Sequence, residues 1–307
     1  MRNAFADELT HIAKENNKVV LLSGDIGNNL FDKFKKVDET HFYNCGVAEA
    51  NMMGVAAGMA LSGLRPVVYT ITPFTTTRCF EQIRVDACYH KAPVIIVGTG
   101  SGLSYAELGP THHSLEDMAI LRTLPGMRVI APCDATELRL ALRAALHEDG
   151  PVYIRIGKKG EPAIHAQAPD FRIGKAIVVR PGTDVALIST GTIMPEVLKA
   201  ADLLDEQGVS AEVASFHSVK PLDQAYLEQA CSRFRLLATV EEHGRIGGLG
   251  GAVAEWRAAR RTMPAQISFG TDDEFMHEVG SQDYARQKYG LTASNIADKV
   301  LAALNAS

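Results

Sequence analysis

Short apolar runs rich in β-branched residues recur along the first half of the chain: VVLLS from Val19, PVVYTIT from Pro66, PVIIVG from Pro93, RVIAP from Arg128 and VYIRI from Val152. Each precedes a longer stretch compatible with a helix. Runs without polar alternation suit strands buried on both faces, the mark of a parallel sheet covered by helices, so this half is expected to be α/β. At the N-terminus Phe5, Leu9, Ile12 and Ala13 fall on one face of a predicted helix. From residue 157 to 172 the chain reads GKKGEPAIHAQAPDFR, with Gly, Pro and charge but no usable period, which predicts a linker. A second alternation follows: VALIS from Val185, a helix over 194–207, a strand over 211–214, a helix from Asp223, a strand over 236–240 and a helix from Ala252. The expected division is therefore a first α/β domain over 1–160, a linker over 161–174 and a second α/β domain over 175–307.

Composition narrows the classes of function. A length of 307 residues suits two domains. The net charge of -5, from 31 basic and 36 acidic residues without any Lys/Arg run longer than a pair, offers no footprint for a phosphate backbone, so nucleic acid is not expected. Apolar runs such as that over 94–97 fall far short of the roughly 18 residues of a membrane span. The N-terminal segment mixes charge throughout, unlike a signal peptide, and a cytoplasmic protein is expected. Cys45, Cys79, Cys88, Cys133 and Cys231 are odd in number and never spaced C-x-x-C, so neither a disulfide frame nor a thiolate zinc site is signalled.

Three segments carry candidate chemistry. The stretch VAEANMMGVAAGMALSG is a predicted helix crowded with Ala and Gly, and Gly54 and Gly58 each cost it about 1 kcal/mol relative to Ala. Their presence points to close packing, within the domain or against another subunit. Glu49 lies in it as a lone acid among apolar neighbours. The frequency with which acids are buried favours a surface position, whereas a carboxyl held away from water suits proton transfer. The segment GLSYAELGPTHHSLEDMAILR joins a strand to a helix and concentrates Glu107, Thr111, His112, His113, Glu116 and Asp117, at the strand end where α/β folds place ligands. If helical, His112 with Glu116 or His113 with Asp117 would be spaced for a metal. Pro110 instead argues for a helix starting near Ser114 as N-cap, and no metal ligands are assigned. The Gly-rich GDIGNN and GRIGGLGG match neither nucleotide-binding pattern, and Gly247 to Gly251 are expected to serve a tight turn and a close helix approach.

Taken in order, GVAEANMMGVAAGMALSGLRPVVYT, FTTTRCFEQIR, GPTHHSLEDMAILRTLPGMRVIAP, STGTIMPEV, KPLD and VEEHGRIGGLG resemble the C-terminal half of transketolase over nearly the whole chain. The resemblance implies a thiamine-diphosphate-binding, pyrimidine-type α/β domain followed by a transketolase C-terminal α/β domain. It carries Glu49 onto the catalytic glutamate that hydrogen-bonds the coenzyme's aminopyrimidine, Phe74 onto the aromatic that stacks on that ring, with Thr75 as the rival position, and Arg78 onto the coenzyme-binding segment. His112 corresponds to the histidine that contacts substrate oxygens, and Arg2 to one member of a sugar-phosphate-binding set.

Departures from the family pattern are equally informative. The family's diphosphate and Mg²⁺ are held by a separate domain with a GDG motif, which this chain lacks. The expected partner is therefore an N-terminal transketolase subunit carrying that domain, in an α2β2 heterotetramer. Leu108 replaces an Asp that binds a donor hydroxyl, and Gly100 and Ala131 replace a His and an Arg that hold the sugar phosphate. Their loss removes charge-assisted bonds to a phosphate, and a donor or acceptor other than the common pentose and hexose phosphates is expected. Alternatives within thiamine enzymes are 1-deoxyxylulose 5-phosphate synthase-like chemistry and a 2-oxoacid dehydrogenase β subunit. An alternative of another class is a non-catalytic stabilising subunit.

Overall fold

The computed structural model describes residues 1–27, 29–260 and 263–306. Twelve strands are named here: β1 (Val19–Ser23), β2 (Phe42–Asn44), β3 (Arg65–Ile71), β4 (Ile95–Thr99), β5 (Arg128–Ile130), β6 (Val152–Ile156), β7 (Ile177–Arg180), β8 (Val185–Thr190), β9 (Ala211–Ser215), β10 (Ser218–Lys220), β11 (Leu236–Gly244) and β12 (Ala265–Thr271). They form a seven-stranded sheet ordered β10-β5-β6-β4-β3-β1-β2 and a five-stranded sheet ordered β12-β11-β8-β9-β7. All pairings are parallel except β10 with β5 and β7 with β9, both at sheet edges. The α/β expectation holds for both halves.

Helices cover both faces of the larger sheet. On one face Phe5, Leu9 and Ile12 of the Arg2–Glu15 helix pack with Leu138 and Leu142 of the Ala135–Ala145 helix. On the other, Met52, Met53, Ala56 and Ala57 of the Glu49–Leu61 helix pack with Ile83 and Met118. The smaller sheet is likewise enclosed, by Met194, Val197 and Ala201 with Ile296 and Val300 on one side and by Leu227, Leu249 and Val253 on the other.

The two halves are interlocked. β10 comes from the second half of the chain yet pairs with β5 at the edge of the first sheet. Residues 161–174 contain no helix or strand but are held in place. Asp134 Oδ2 accepts the amides of Ile164 (2.8 Å) and His165 (2.9 Å), His165 Nε2 lies 2.9 Å from Glu137 Oε1, and Phe171 stacks on His217 with ring centroids 4.0 Å apart.

One local expectation is corrected. The helix after the histidine loop runs Asp117–Arg122 with Glu116 before it, so Ser114 is no N-cap; its amide donates instead to Gly102 O at 3.0 Å. Residues 109–116 are not helical, and the metal-type spacing of His112 with Glu116 and of His113 with Asp117 is therefore not realised. The glycines of the second Gly-rich segment do what was expected of them. Gly247 adopts φ +76°, and a Cβ at Gly250 would lie 2.8 Å from Ser268 Oγ and 2.9 Å from Thr239 Oγ1, so the Leu249–Ala258 helix sits directly on its sheet.

Candidate active site

In the first sheet β2 lies on one side of β1 and β3 on the other, so the chain reverses its direction of travel across the sheet at β1/β3. Ligands of open α/β sheets bind at such switch points, beyond the carboxyl ends of the strands. Gly24 directly follows β1 there. A Cβ on it would stand 3.0 Å from Thr70 Cβ and 3.4 Å from Glu49 Cγ, so the bare backbone packs closely against Thr70 beside the Glu49 side chain.

Glu49 is the first residue of its helix and is 2% exposed, against the frequency argument that favoured the surface. Its Oε2 accepts a hydrogen bond from Arg78 Nη1 at 2.9 Å. The same guanidinium lies over the Phe74 ring, 4.4 Å from the centroid, and the Arg78 side chain is 48% exposed. Phe74 belongs to the short Thr72–Thr75 helix that β3 runs into, and Thr75, its rival in the sequence reading, is fully buried. His112 meets Phe74 edge-to-face with centroids 5.3 Å apart and approaches Tyr105 at 6.0 Å. Thr111 Oγ1 lies 2.9 Å from His112 Nδ1. Glu49, Arg78, Phe74 and His112 thus form one continuous contact chain. Beside it, burial and then the Glu49 charge push the Cys79 thiol up to about 12, which leaves it protonated and inert as a nucleophile.

The remaining sequence-predicted residues scatter. Leu108 is 49% exposed on the His112 loop. Arg2 lines a separate surface recess of about 960 Å³ together with Asn29, Lys33 and Arg139. Gly100 adopts φ +82°, and a Cβ there would fall 2.0 Å from the Tyr105 ring, so Tyr105 fills the space that a side chain at 100 would need. Ala131 is buried away from the surface; its amide donates to His217 O (2.7 Å) and its carbonyl accepts from Gly191 N (3.0 Å). Sequence reasoning passed over Gly24, Thr70 and Tyr105 as parts of the site. Only Gly24 carried a signal, as a glycine placed immediately after the first strand.

A doubly wound domain with a buried carboxylate and an aromatic at its switch point, joined to a second α/β domain, defines the class. Residues 1–161 match the family described as transketolase, pyrimidine binding domain, and residues 174–296 the transketolase C-terminal domain. The chain belongs to the transketolase family. It is 36% identical over 297 residues to the 6-deoxy-6-sulfo-D-fructose transketolase subunit SqwH of Clostridium sp. (strain MSTE9), covering 96% of this chain and 92% of that one. It is 34% identical over 302 residues to a subunit of the apulose-4-phosphate transketolase of Phocaeicola vulgatus, covering 98% and 96%. A solved structure described as a split gene transketolase, inactive beta4 tetramer, superposes with a TM-score of 0.90 at 35% identity, covering 99% of this chain and 97% of that one.

Proposed function

We propose that this chain is one subunit of a two-component transketolase, contributing the aminopyrimidine-binding side of an active site completed by a second, diphosphate-binding subunit. The assembled enzyme moves a two-carbon ketol unit from a ketose to an aldose or related acceptor. The observation that carries this reading is the buried Glu49 carboxylate facing a planar N–H group above an aromatic ring.

Thiamine diphosphate is the family's coenzyme, and the residues present suit its aminopyrimidine. The Arg78 guanidinium, flat and lined with N–H donors, already occupies the space between Glu49 and Phe74, so that space accepts a planar, donor-bearing group. When bound, the coenzyme supplies the carbon nucleophile and the electron sink for breaking and making the carbon–carbon bond. Glu49 would share a proton with a ring nitrogen and hold it out of water. Phe74 would present its face to the ring, and the half-exposed Arg78 would swing aside while remaining near the coenzyme. His112, facing Phe74, would donate a hydrogen bond to substrate oxygen where negative charge develops. Mg²⁺ and the diphosphate would be held mainly by the partner.

The domain limits 1–160, 161–174 and 175–307 go with this reading. Its support for a partner comes from the Glu49–Leu61 helix, whose Asn51, Val55, Gly58 and Leu61 form an exposed stripe. A Cβ on Gly54 would stand 3.6 Å from Asp86 Oδ2, but one on Gly58 would meet nothing within 4 Å among the described residues, so the close packing that Gly58 suggests is not made by them. An α2β2 assembly would cover the stripe. The solved relative's description as an inactive beta4 tetramer fits a subunit that needs a different chain for activity. The substrate is proposed to depart from the common sugar phosphates, because Gly100 and Ala131 cannot form charged bonds and the relatives are named for a sulfo sugar and for apulose 4-phosphate. The N-terminal transketolase homologue of the same genome, co-purified with this chain, Mg²⁺ and thiamine diphosphate, is expected to transfer glycolaldehyde units. Glu49→Gln should lower kcat by about 10²- to 10⁴-fold. Equal activity of Glu49→Ala and wild type would reduce the chain to architecture, and carbon dioxide release from pyruvate would move the chemistry to 1-deoxyxylulose 5-phosphate synthase or 2-oxoacid dehydrogenase type.

A further inference from the structure

The ketol-transfer reading gives no task to Glu242 of β11, yet this carboxylate from the second domain is built into the base of the His112 loop. It is 1% exposed. Its Oε1 accepts the Leu103 amide at 2.7 Å and Gln282 Nε2 at 2.8 Å, and its Oε2 accepts Arg286 Nε at 2.6 Å. Gly102, at φ +58°, presses its backbone against the same group; a Cβ there would fall 2.6 Å from Glu242 Oε1. The other stem of the loop ends at the same place. Ser114 N donates to Gly102 O, and Arg155 Nη2 donates both to Ser114 O and to Glu242 O, the latter at 2.9 Å. Gly244 N donates to Leu115 O at 2.9 Å. Leu103, Ala106 and Leu115 are buried in the second domain's own core. The loop that presents Leu108 and His112 is therefore hung from the second domain at both stems.

We propose that Glu242 is a positioning residue: through the Leu103 amide it sets where the loop, and with it His112, stands relative to Phe74 and Glu49. The functional consequence rests on the ketol-transfer reading; the clamp itself does not. A carboxylate suits the task because its two oxygens bind three donors from two structural units, while Arg286 and Gln282 fix its orientation from behind. A displacement of the order of 1 Å at a reacting group can cost on the order of 10²-fold in rate, so a clamp of this kind acts on substrate handling without touching substrate.

The test compares wild type, E242Q and the double variant E242M/R286M, which removes both charges together and leaves neither buried alone. E242Q keeps the shape and one acceptor, and provides the reading if the double variant does not fold. In the full chain without partner, amide exchange followed by mass spectrometry should be at least about tenfold faster over residues 101–106 in the double variant, with E242Q intermediate and β8 unchanged. In the reconstituted complex KM for the ketose donor should rise about tenfold or more, while thiamine diphosphate affinity stays within about twofold, and E242Q should recover most of the loss. Unchanged exchange at 101–106 in either folded variant overturns the clamp, as does a coenzyme affinity that falls in step with KM. Faster exchange in variants of a complex whose wild type transfers no ketol unit sinks the proposed reaction and leaves the clamp standing.

Discussion

Arg78 and Glu49 show how the smallest unit of the site works. Twenty-nine positions separate them in sequence, and their ion pair exists only because β3 and the turn after it return to the start of the Glu49–Leu61 helix. The resemblance points to Glu49, but its burial was not legible, because frequency arguments see composition and not the arriving guanidinium. Breaking the pair with Arg78→Ala leaves a buried carboxylate without its charged partner. Since Arg78 is 48% exposed, solvent discounts the cost to about 1–2 kcal/mol, measurable by urea unfolding of the partner-free chain. Gly100 is a second residue whose meaning comes from its surroundings. In sequence it marks the loss of a phosphate ligand; in the fold the Tyr105 ring fills that space. Restoring the family's side chain with Gly100→His is therefore expected to destabilise the fold by more than about 1 kcal/mol, through positive φ and overpacking together. Adding Tyr105→Ala should recover part of that loss, as a rise in thermal midpoint over the single variant.

Among the elements, central strands were legible and edge strands were not. β1, β4, β6, β8 and β9 are buried at every position; β1, β4 and β8 announce themselves as apolar runs, whereas β6 and β9 each carry one charged residue, Arg155 and Glu212, among apolar neighbours. β2 and β10 are three-residue edge strands with no such run, β7 has only the short run Ile177-Val178-Val179 on a half-exposed edge, and β12 is buried only toward its end, so their pairing is decided by neighbours more than by their own sequence. β11 is foreseeable only to residue 240; it continues to Gly244, and the extension holds the buried groups whose role sequence could not supply. Glu241 caps the Leu249–Ala258 helix, accepting the amides of Leu249 (2.7 Å) and Gly250 (2.8 Å), and burial raises its pKa to about 7. Burial lowers that of His243 to about 4. The folded state thus holds a proton on Glu241 that the unfolded chain has lost, so this group's contribution to stability fades as pH rises from about 4.5 to about 7. His243 works in the opposite sense: its contribution fades as pH falls from about 6.5 to about 4. In Glu241→Gln only the second dependence remains. Its stability relative to wild type should therefore grow with pH across the window from about 4.5 to about 7, by up to about 3 kcal/mol, as read from denaturant midpoints at a series of pH values.

At the scale of the whole molecule the two-domain order was legible, and the interlocking was not, because nothing in a three-residue SVK segment says which sheet it will join. Arg155 shows the same limit: it reads as one polar residue in a strand, yet it is 2% exposed and ties Asp117, Ser114 and Glu242 together between the halves. Residues 1–174 expressed alone would present the free edge of β5, which is a template for strand addition. Such a fragment is expected to associate or precipitate, whereas one that also carries residues 175–307 stays dispersed, as size-exclusion chromatography would show. The borrowed strand has a consequence for engineering by exchange of parts. A chimera that joins this first domain to the C-terminal domain of a distant cousin inherits a foreign seventh strand, and the crossover point must be judged by the match of that tripeptide to β5 and not by the quality of the linker.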